Sequence, residues 1–305
     1  MSVSGSGNGD AAVKHSVPPA SLDERAAALP GALLEGGVRA LAATGSPRLD
    51  AELLLAHVLN CTRAALRTRD GVPLPASARA EYARLLAARA AGAPLAYLVG
   101  ERGFWTLTLA VTPAVLVPRP ETELLVELAL ERLPLGTTAA VLDLGAGSGA
   151  VGLAIASERQ QVRVDLVEAS AAALAVAEDN RRRLGLGNAR GLLGDWYDPV
   201  GAQRYDLIVA NPPYLALDDP HLASPELQHE PRAALIAGPT GLEALAAIAR
   251  GAPRHLVPGG WLLCEHGATQ GAAVRSLVAA AGLGAVATRR DLAGLERVTV
   301  ARHDT

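Results

Sequence analysis

The stretch from residue 139 onwards most constrains what this chain can fold into, because strand, turn and helix signals alternate along it. Apolar, β-rich runs stand at 139–144, 162–168, 189–193, 205–210, 259–264, 283–288 and 296–301. Helical patterns at 149–158, 170–184, 240–255 and 269–281 intervene. Such alternation predicts an α/β fold, a doubly wound parallel sheet with antiparallel strands at its end. Ligands bind these sheets outside the carboxyl ends of the strands. The residues just after each strand therefore carry the functional information.

The first strand ends in Asp143-Leu144 and enters Gly145-Ala146-Gly147-Ser148-Gly149, followed by a helix. Glycine is needed where backbone turns sharply or comes close to a ligand. Strand 162–168 ends in Glu168, about 20 residues on, a typical offset for a carboxylate that grips ribose hydroxyls. Gly145, Gly147 and Ala150 also satisfy the relaxed dinucleotide fingerprint. The loop alone thus fits a nicotinamide or flavin site as well as an S-adenosylmethionine (SAM) site. Asp143 reads equally as a cap on the turn and as a ligand contact.

Strand 205–210 runs into Asn211-Pro212-Pro213-Tyr214. Proline holds the residue before it extended, so Asn211 and Pro212 are both fixed. Two adjacent prolines make a stiff loop that offers carbonyls and no amide donors. That suits a site accepting hydrogen bonds from an amino group, through the Asn211 side-chain oxygen and the Pro212 carbonyl. Tyr214 is placed to lie flat on the planar group carrying that nitrogen. A carboxamide or aromatic amine is a poor nucleophile, and acceptors on both its N–H groups raise its electron density and aim its lone pair. An electrophilic methyl donor opposite completes the arrangement. The bland alternative is a rigid loop that only ends a strand.

Residues 1–19 read as a disordered tail without a signal-peptide apolar region. Residues 20–92 read as an N-terminal helical domain, with helical periodicity at 31–43, 49–59, 62–68 and 76–90. Between 61 and 95 stand six arginines against two acids, a solvated helix face or a docking face for a large partner. Residues 93–118 read as a linker and β-hairpin, with Thr106–Val111 and Val115–Val117 as its strands. A helix is expected from Pro120 to about residue 133. Residues 119–305 form the catalytic domain.

Composition removes several classes. Lys14 is the one lysine among 28 basic residues, which excludes a Walker A loop and makes a Schiff-base lysine untenable. Cys61 and Cys264 stand far apart and the seven histidines include no His-Glu-x-x-His, so neither a disulfide framework nor a metal site is expected. No membrane-spanning run is present, and a cytoplasmic protein is expected. The net charge of −3 gives no basic excess for nucleic acid. Nine aromatics (three Trp, five Tyr and Phe104) are few enough that their places matter: Tyr97, Phe104, Trp105, Trp196, Tyr197 and Tyr214 gather near the predicted cleft.

Taken together, the sequence resembles the HemK/PrmC family of release-factor glutamine N5-methyltransferases from about residue 30 to 302. The glycine loop and Asn211-Pro212-Pro213-Tyr214 are shared with many amino-methyltransferases. More specific are Arg48 to Leu55, Pro94 to Tyr97, Gly100 to Trp105, Val117-Pro118-Arg119-Pro120-Glu121-Thr122-Glu123, Gly194-Asp195-Trp196, Glu230 to Leu235 and Cys264-Glu265-His266-Gly267. The resemblance implies a Rossmann-like SAM-dependent methyltransferase domain with a small N-terminal helical domain joined by a β-hairpin. It implies that Gly145, Ala146, Gly147, Ser148, Gly149, Glu168, Trp196 and Asn211 contact SAM, with Phe104 near its methionine end. Asn211, Pro212, Pro213 and Tyr214 would cradle the substrate glutamine, with Asn211, Pro212 and Tyr214 catalytic. The implied substrate is the glutamine of the Gly-Gly-Gln loop of class 1 peptide chain release factors, docked by the helical domain.

Glu168 stands where the family more often has Asp, and Thr240 where an acid is common; neither departure removes the chemistry. Glu265 reads more readily as satisfying a buried polar group than as a functional acid. A monomer that does not bind nucleic acid directly is expected. The alternatives are a nucleic-acid amino-methyltransferase acting on adenine or guanine, a nicotinamide oxidoreductase, and a non-catalytic adaptor.

Overall fold

The computed structural model describes Met1 and residues 22–69 and 71–304. The disordered tail expected at 1–19 lies, Met1 apart, outside the described residues. The chain divides into two compact units, Met1–Ala87 and Ala88–Thr305.

The first unit is helical. Its helices are α1 (Leu22–Ala27), α2 (Pro30–Ala40), α3 (Pro47–Val58), α4 (Arg63–Leu66) and α5 (Ala76–Ala90), the last running on past the unit boundary. Pro30 and Pro47 open α2 and α3, where a missing N–H costs nothing. Thr62 caps α4, its Oγ1 accepting the Ala65 N–H at 3.3 Å. The interior holds Leu41, Leu54, Leu55, Tyr82 and Leu85, each at 1% exposure or less. Tyr82 satisfies its buried hydroxyl by donating to the Ala51 carbonyl at 3.2 Å, which joins α5 to α3.

The second unit begins with α6 (Leu95–Val99) and a hairpin of β1 (Glu101–Phe104) and β2 (Leu107–Ala110). This corrects the expected pairing: β2 pairs with the residues before it, and Val115–Val117 form no strand. The Val117 N–H instead goes to the Glu230 carboxylate at 3.2 Å. The hairpin turns at Trp105, whose φ of 54° is unusual for a bulky residue. A 3-10 turn at Pro120–Thr122 leads into α7 (Glu123–Arg132).

The main sheet then follows the expected alternation. In chain order it comprises β3 (Ala140–Leu144), α8 (Ala150–Glu158), β4 (Arg163–Glu168), α9 (Ala171–Arg183), β5 (Ala189–Leu193) and β6 (Tyr205–Ala210). After β6 a short parallel pair forms, β7 (Leu215–Ala216) with β8 (Ile236–Gly238). The chain finishes with α10 (Glu243–His255), β9 (Leu256–Glu265), α11 (Gly271–Ala280), β10 (Gly284–Arg290) and β11 (Glu296–Arg302). The sheet order is β10-β11-β9-β6-β3-β4-β5. β11 runs antiparallel to both its neighbours, and the β9-β6-β3-β4-β5 run is parallel.

Val141, Leu142 and Leu144 on β3 and Leu207 to Ala210 on β6 are at 0–1% exposure. Central strands covered on both faces must be apolar throughout. Two clusters fill the two sides: Leu125, Leu153 and Ile155 under α7 and α8, and Leu245, Ile248 and Val274 under α10 and α11. Helix α8 approaches β3 and β4 closely enough that a Cβ on Gly152 would lie 2.8 Å from Asp143 Oδ2 and 2.2 Å from Leu166 Cδ2. The connections leave β3 for β4 on one side and β6 on the other, so the switch point falls at β3 and β6.

Candidate active site

A cavity of about 370 Å³ opens within the second unit where the loops after β3, β4 and β6 meet. That volume lies in the range of small-molecule sites, about 300–1,000 Å³. Of the residues singled out from the sequence, Gly145, Ala146, Gly147, Ser148, Glu168, Trp196, Asn211 and Pro213 line it. Three separate strand ends supply them because parallel β3, β4 and β6 are in register, Leu144 lying beside both Val167 and Ala210.

The glycine loop is held from two directions. Glu168 accepts the Gly147 N–H through Oε2 and the Ser170 N–H through Oε1, both at 2.9 Å. An ionised carboxylate has about four acceptor positions, so each oxygen keeps one free. From the far side, Asn180 on α9 donates to the Ser148 carbonyl at 2.9 Å and pairs with the Ala110 backbone in β2. Asn180 is buried, and nothing in the sequence pattern set it apart from a surface helical residue.

Asp143 also lines the cavity, at 2% exposure, and accepts the Gly152 N–H at 2.8 Å. It therefore secures the first turn of α8 to β3 from a position on the cavity wall. Burial raises its pKa to about 7, against the Gly152 hydrogen bond, and the nearby Glu168 charge adds to the rise. Gly149 caps α8 with φ 82°, and a Cβ there would meet Leu153 Cδ1 at 2.7 Å. It is thus a backbone support rather than a wall residue.

Trp196 has φ 43°, a costly conformation for a bulky side chain. Its ring packs close to the loop, with Cζ3 3.7 Å from where a Cβ on Gly145 would lie. Trp196 packs against the core cluster that includes Leu245 and Ile248 of α10, and it also lines the cavity.

Asn211 follows the last residue of β6, and its Nδ2 donates to Thr122 Oγ1 at 3.1 Å. Both residues line the cavity. Among the described residues no donor takes up Asn211 Oδ1, which leaves an acceptor at the cavity wall. Glu265, at the end of β9, comes beside Asn211 in the register of β6 with β9, where Ala210 pairs with Cys264. Glu265 is 1% exposed and its Oε2 has no hydrogen-bond partner. Burial raises its pKa to about 7, with Thr122, Arg297 and Arg119 pulling it down and Glu121 pushing it up.

Pro212 is buried and Tyr214 half-buried behind the wall formed by Asn211 and Pro213. Tyr214 packs against the core beneath α10, its carbonyl takes a hydrogen bond from Gln270 Nε2 at 2.9 Å, and burial pushes its phenol up to about 12. Phe104 sits at 2% exposure in the core with Leu109, Leu125, Ala146 and Ala150, not on the cavity wall.

Sequence reasoning gave no role to much of the remaining wall. Val115, Leu116 and Pro118 line it, as do Pro231, Ala233 and Ala234. Glu230, with its side chain fully buried, joins these two segments through Val117 N–H and Arg119. Their signal was present as the Val117–Glu123 and Glu230–Leu235 segments, but their pairing depends on a contact more than a hundred residues apart in sequence.

Comparison with known proteins bears on this site directly. Residues 32–100 match the family model of the PrmC N-terminal domain, and residues 121–227 match that of the methyltransferase small domain. A release factor glutamine methyltransferase of Xylella fastidiosa is 53% identical over 84% of this chain and 93% of its own. One from Bordetella pertussis is 51% identical over 85% and 96%, and one from Salmonella typhimurium 44% over 88% and 97%. Among solved structures, a methyltransferase from Pyrococcus furiosus shares the fold at TM-score 0.50 and 16% identity, covering 65% of this chain and 89% of that one. With about half of its residues identical along nearly the whole of such relatives, the chain belongs to the release factor glutamine methyltransferase family.

Proposed function

We propose that this protein transfers the methyl group of SAM to the side-chain amide nitrogen of a glutamine, that of the Gly-Gly-Gln loop of class 1 peptide chain release factors. The carrying observation is the orientation of Asn211: its NH₂ is taken by Thr122, and its Oδ1 is left for a substrate amide N–H. Relatives 43–53% identical bear the name release factor glutamine methyltransferase, which supports the same substrate.

The residues present fit SAM. The spare acceptor positions of Glu168 suit a ribose diol, and Trp196, Pro118 and Val151 offer apolar wall. Gly145 to Ser148 present backbone at close range. When bound, SAM supplies an electrophilic methyl on a positively charged sulfonium. The protein's part is positional. Asn211 Oδ1 accepts one amide N–H and the Pro212 carbonyl is assigned the other, which turns the nitrogen lone pair toward the methyl. One N–H of the substrate is replaced by N–CH₃, and its proton passes to solvent. Tyr214 stays protonated at neutral pH and serves by packing, not as a base.

The helical unit is assigned to docking the release factor, and the protein to the cytoplasm as a monomer without direct nucleic-acid binding. Its two described cysteines are free, in keeping with a reducing compartment, and no described helix is long and apolar enough to cross a membrane.

Mass spectrometry of release factor after incubation with SAM tests the proposal. One added methyl on the Gly-Gly-Gln glutamine is expected. Methyl appearing only in RNA or DNA would overturn it.

A further inference from the structure

The loop Asn211-Pro212-Pro213-Tyr214 is short of anchors of its own. Pro212 and Pro213 have no N–H, so neither fixes the loop through a backbone donor. Their rings lock φ, so the segment moves as a stiff piece. Its position is therefore set from its ends. At the near end Asn211 continues β6 and donates to Thr122 Oγ1. At the far end the Tyr214 carbonyl accepts the Gln270 Nε2–H at 2.9 Å, and the Leu215 N–H goes to the Leu235 carbonyl at 2.9 Å.

Gln270 reaches the loop from the turn between β9 and α11, and it holds two further turns. Its Nε2 also donates to the Gly241 carbonyl at 3.2 Å, just before α10, and its Oε1 accepts the Gly267 N–H at 2.9 Å, just after β9. A primary amide has two hydrogens and one oxygen. Here both hydrogens meet carbonyls and the oxygen meets an N–H, so the amide stands only one way round. Turned over, it would set its oxygen against two carbonyls. Gly241 comes as close: its φ is 76°, and a Cβ on it would lie 2.6 Å from the Tyr214 carbonyl oxygen. One half-buried side chain thus joins the turns that follow β6, β8 and β9.

We propose that Gln270 is a positioning residue for methyl transfer: by holding the Tyr214 carbonyl it fixes the Pro212 carbonyl and the Tyr214 ring against the substrate amide. This rests on the glutamine-methylating reading and deepens it. Gln270 does not line the cavity and acts through the loop, since a displacement at Tyr214 is passed along two locked prolines to the acceptor. The glycine loop and Glu168 are held by bonds of their own.

The test uses the full chain at pH 7.5, in two readouts. The first needs no substrate: exchange of the Gln270 side-chain amide protons by heteronuclear NMR, assigned by loss of the signal pair in Gln270→Met. In wild type both protons should exchange more slowly than those of the exposed Gln160. The second is methyl transfer to release factor by Gln270→Met and Gln270→Glu. Both keep the length of the side chain. Gln270→Met removes the donors, and Gln270→Glu sets a carboxylate oxygen against two carbonyls. kcat should fall roughly 10- to 100-fold in Gln270→Met, as displaced reacting groups do, and at least as far in Gln270→Glu. The SAM Kd and the KM for release factor should stay within about threefold of wild type, a split that lost stability alone does not produce. Should Gln270→Met fail to fold, Gly241→Ala presses on the same carbonyl from its own side and should lower kcat over the same range.

Wild-type kcat in Gln270→Met overturns the proposal, and so does wild-type kcat in Gln270→Glu, which would make the side chain a space-filler. A loss of kcat matched by an equal loss of SAM affinity overturns it too, as do wild-type amide protons that exchange as freely as those of Gln160. A wild type that leaves release factor unmodified overturns the substrate reading instead, and the exchange data still decide whether Gln270 holds the loop.

Discussion

Glu168 and Gly147 are joined across two strand ends, Glu168 Oε2 accepting the Gly147 N–H at 2.9 Å. The same carboxylate therefore shapes the glycine loop and presents free acceptor positions to the cavity. Its second bond, to the Ser170 N–H, fixes the side chain against rotation. A longer Glu in place of the family's commoner Asp still reaches both backbone donors and the wall.

Glu168→Ala removes the proposed ribose acceptor and a loop support together. Hydrogen bonds to a charged group contribute about 1.5–3 kcal/mol each, so SAM affinity should fall by roughly 10- to 1,000-fold. Calorimetric titration with SAM measures this. Binding as tight as wild type would remove Glu168 from the cofactor site.

Asn211→Ala should show the opposite balance. Its Oδ1 is assigned to the reacting amide, and loss of one such preorganised group costs on the order of 10²- to 10³-fold in kcat. The SAM Kd should change by less than about tenfold, because Gly145 to Ser148 and Glu168 remain in place. Single-turnover transfer to release factor beside a SAM titration separates the two effects. Wild-type turnover in this variant would refute the acceptor geometry.

These two residues are legible in the sequence because Glu168 ends, and Asn211 follows, a strand with a strong apolar run. Val164 to Val167 and Leu207 to Ala210 are buried on both faces, which forces a composition that periodicity can read. Strand β1 was not legible, since Glu101-Arg102-Gly103-Phe104 has one buried residue and no alternation. Val115–Val117 differ in the opposite sense: Val115 and Leu116 wall a cavity, and Glu230 takes the Val117 N–H that a ladder would otherwise use. Phe104 was placed with the cofactor by resemblance, while its burial with Leu109 and Leu125 makes it core. Glu265 comes beside Asn211 only through β-sheet register, which a linear pattern does not carry.

The pH dependence of stability follows from Asp143. Its folded pKa of about 7 lies above the ordinary 3.8, so the protonated form is favoured on folding. The stability this contributes is fully present below about pH 4 and is lost as pH rises through about 7. Glu265, also raised to about 7, acts in the same direction. Asp143→Asn keeps an oxygen for the Gly152 N–H and removes one titration. Its urea midpoint should fall less between pH 5 and pH 8 than that of wild type. Parallel curves for the two proteins would show that Asp143 does not titrate in that window.

Glu230 offers a test of the cavity wall apart from the chemistry. Its fully buried carboxylate holds Val117 N–H at 3.2 Å and pairs with Arg119, itself one-third exposed. Glu230→Ala leaves that N–H unpaired, at a cost of about 1–3 kcal/mol, while Arg119 can turn toward water and soften its share of the loss. The larger effect should be on binding. Without the clamp, Val115 to Pro118 and Pro231 to Ala234 lose their common anchor, and the apolar wall they form is no longer preorganised. Urea unfolding should report the modest stability loss, and SAM affinity should fall by about tenfold or more. Stability that falls with SAM affinity unchanged would mean that the clamp braces the fold without shaping the cavity.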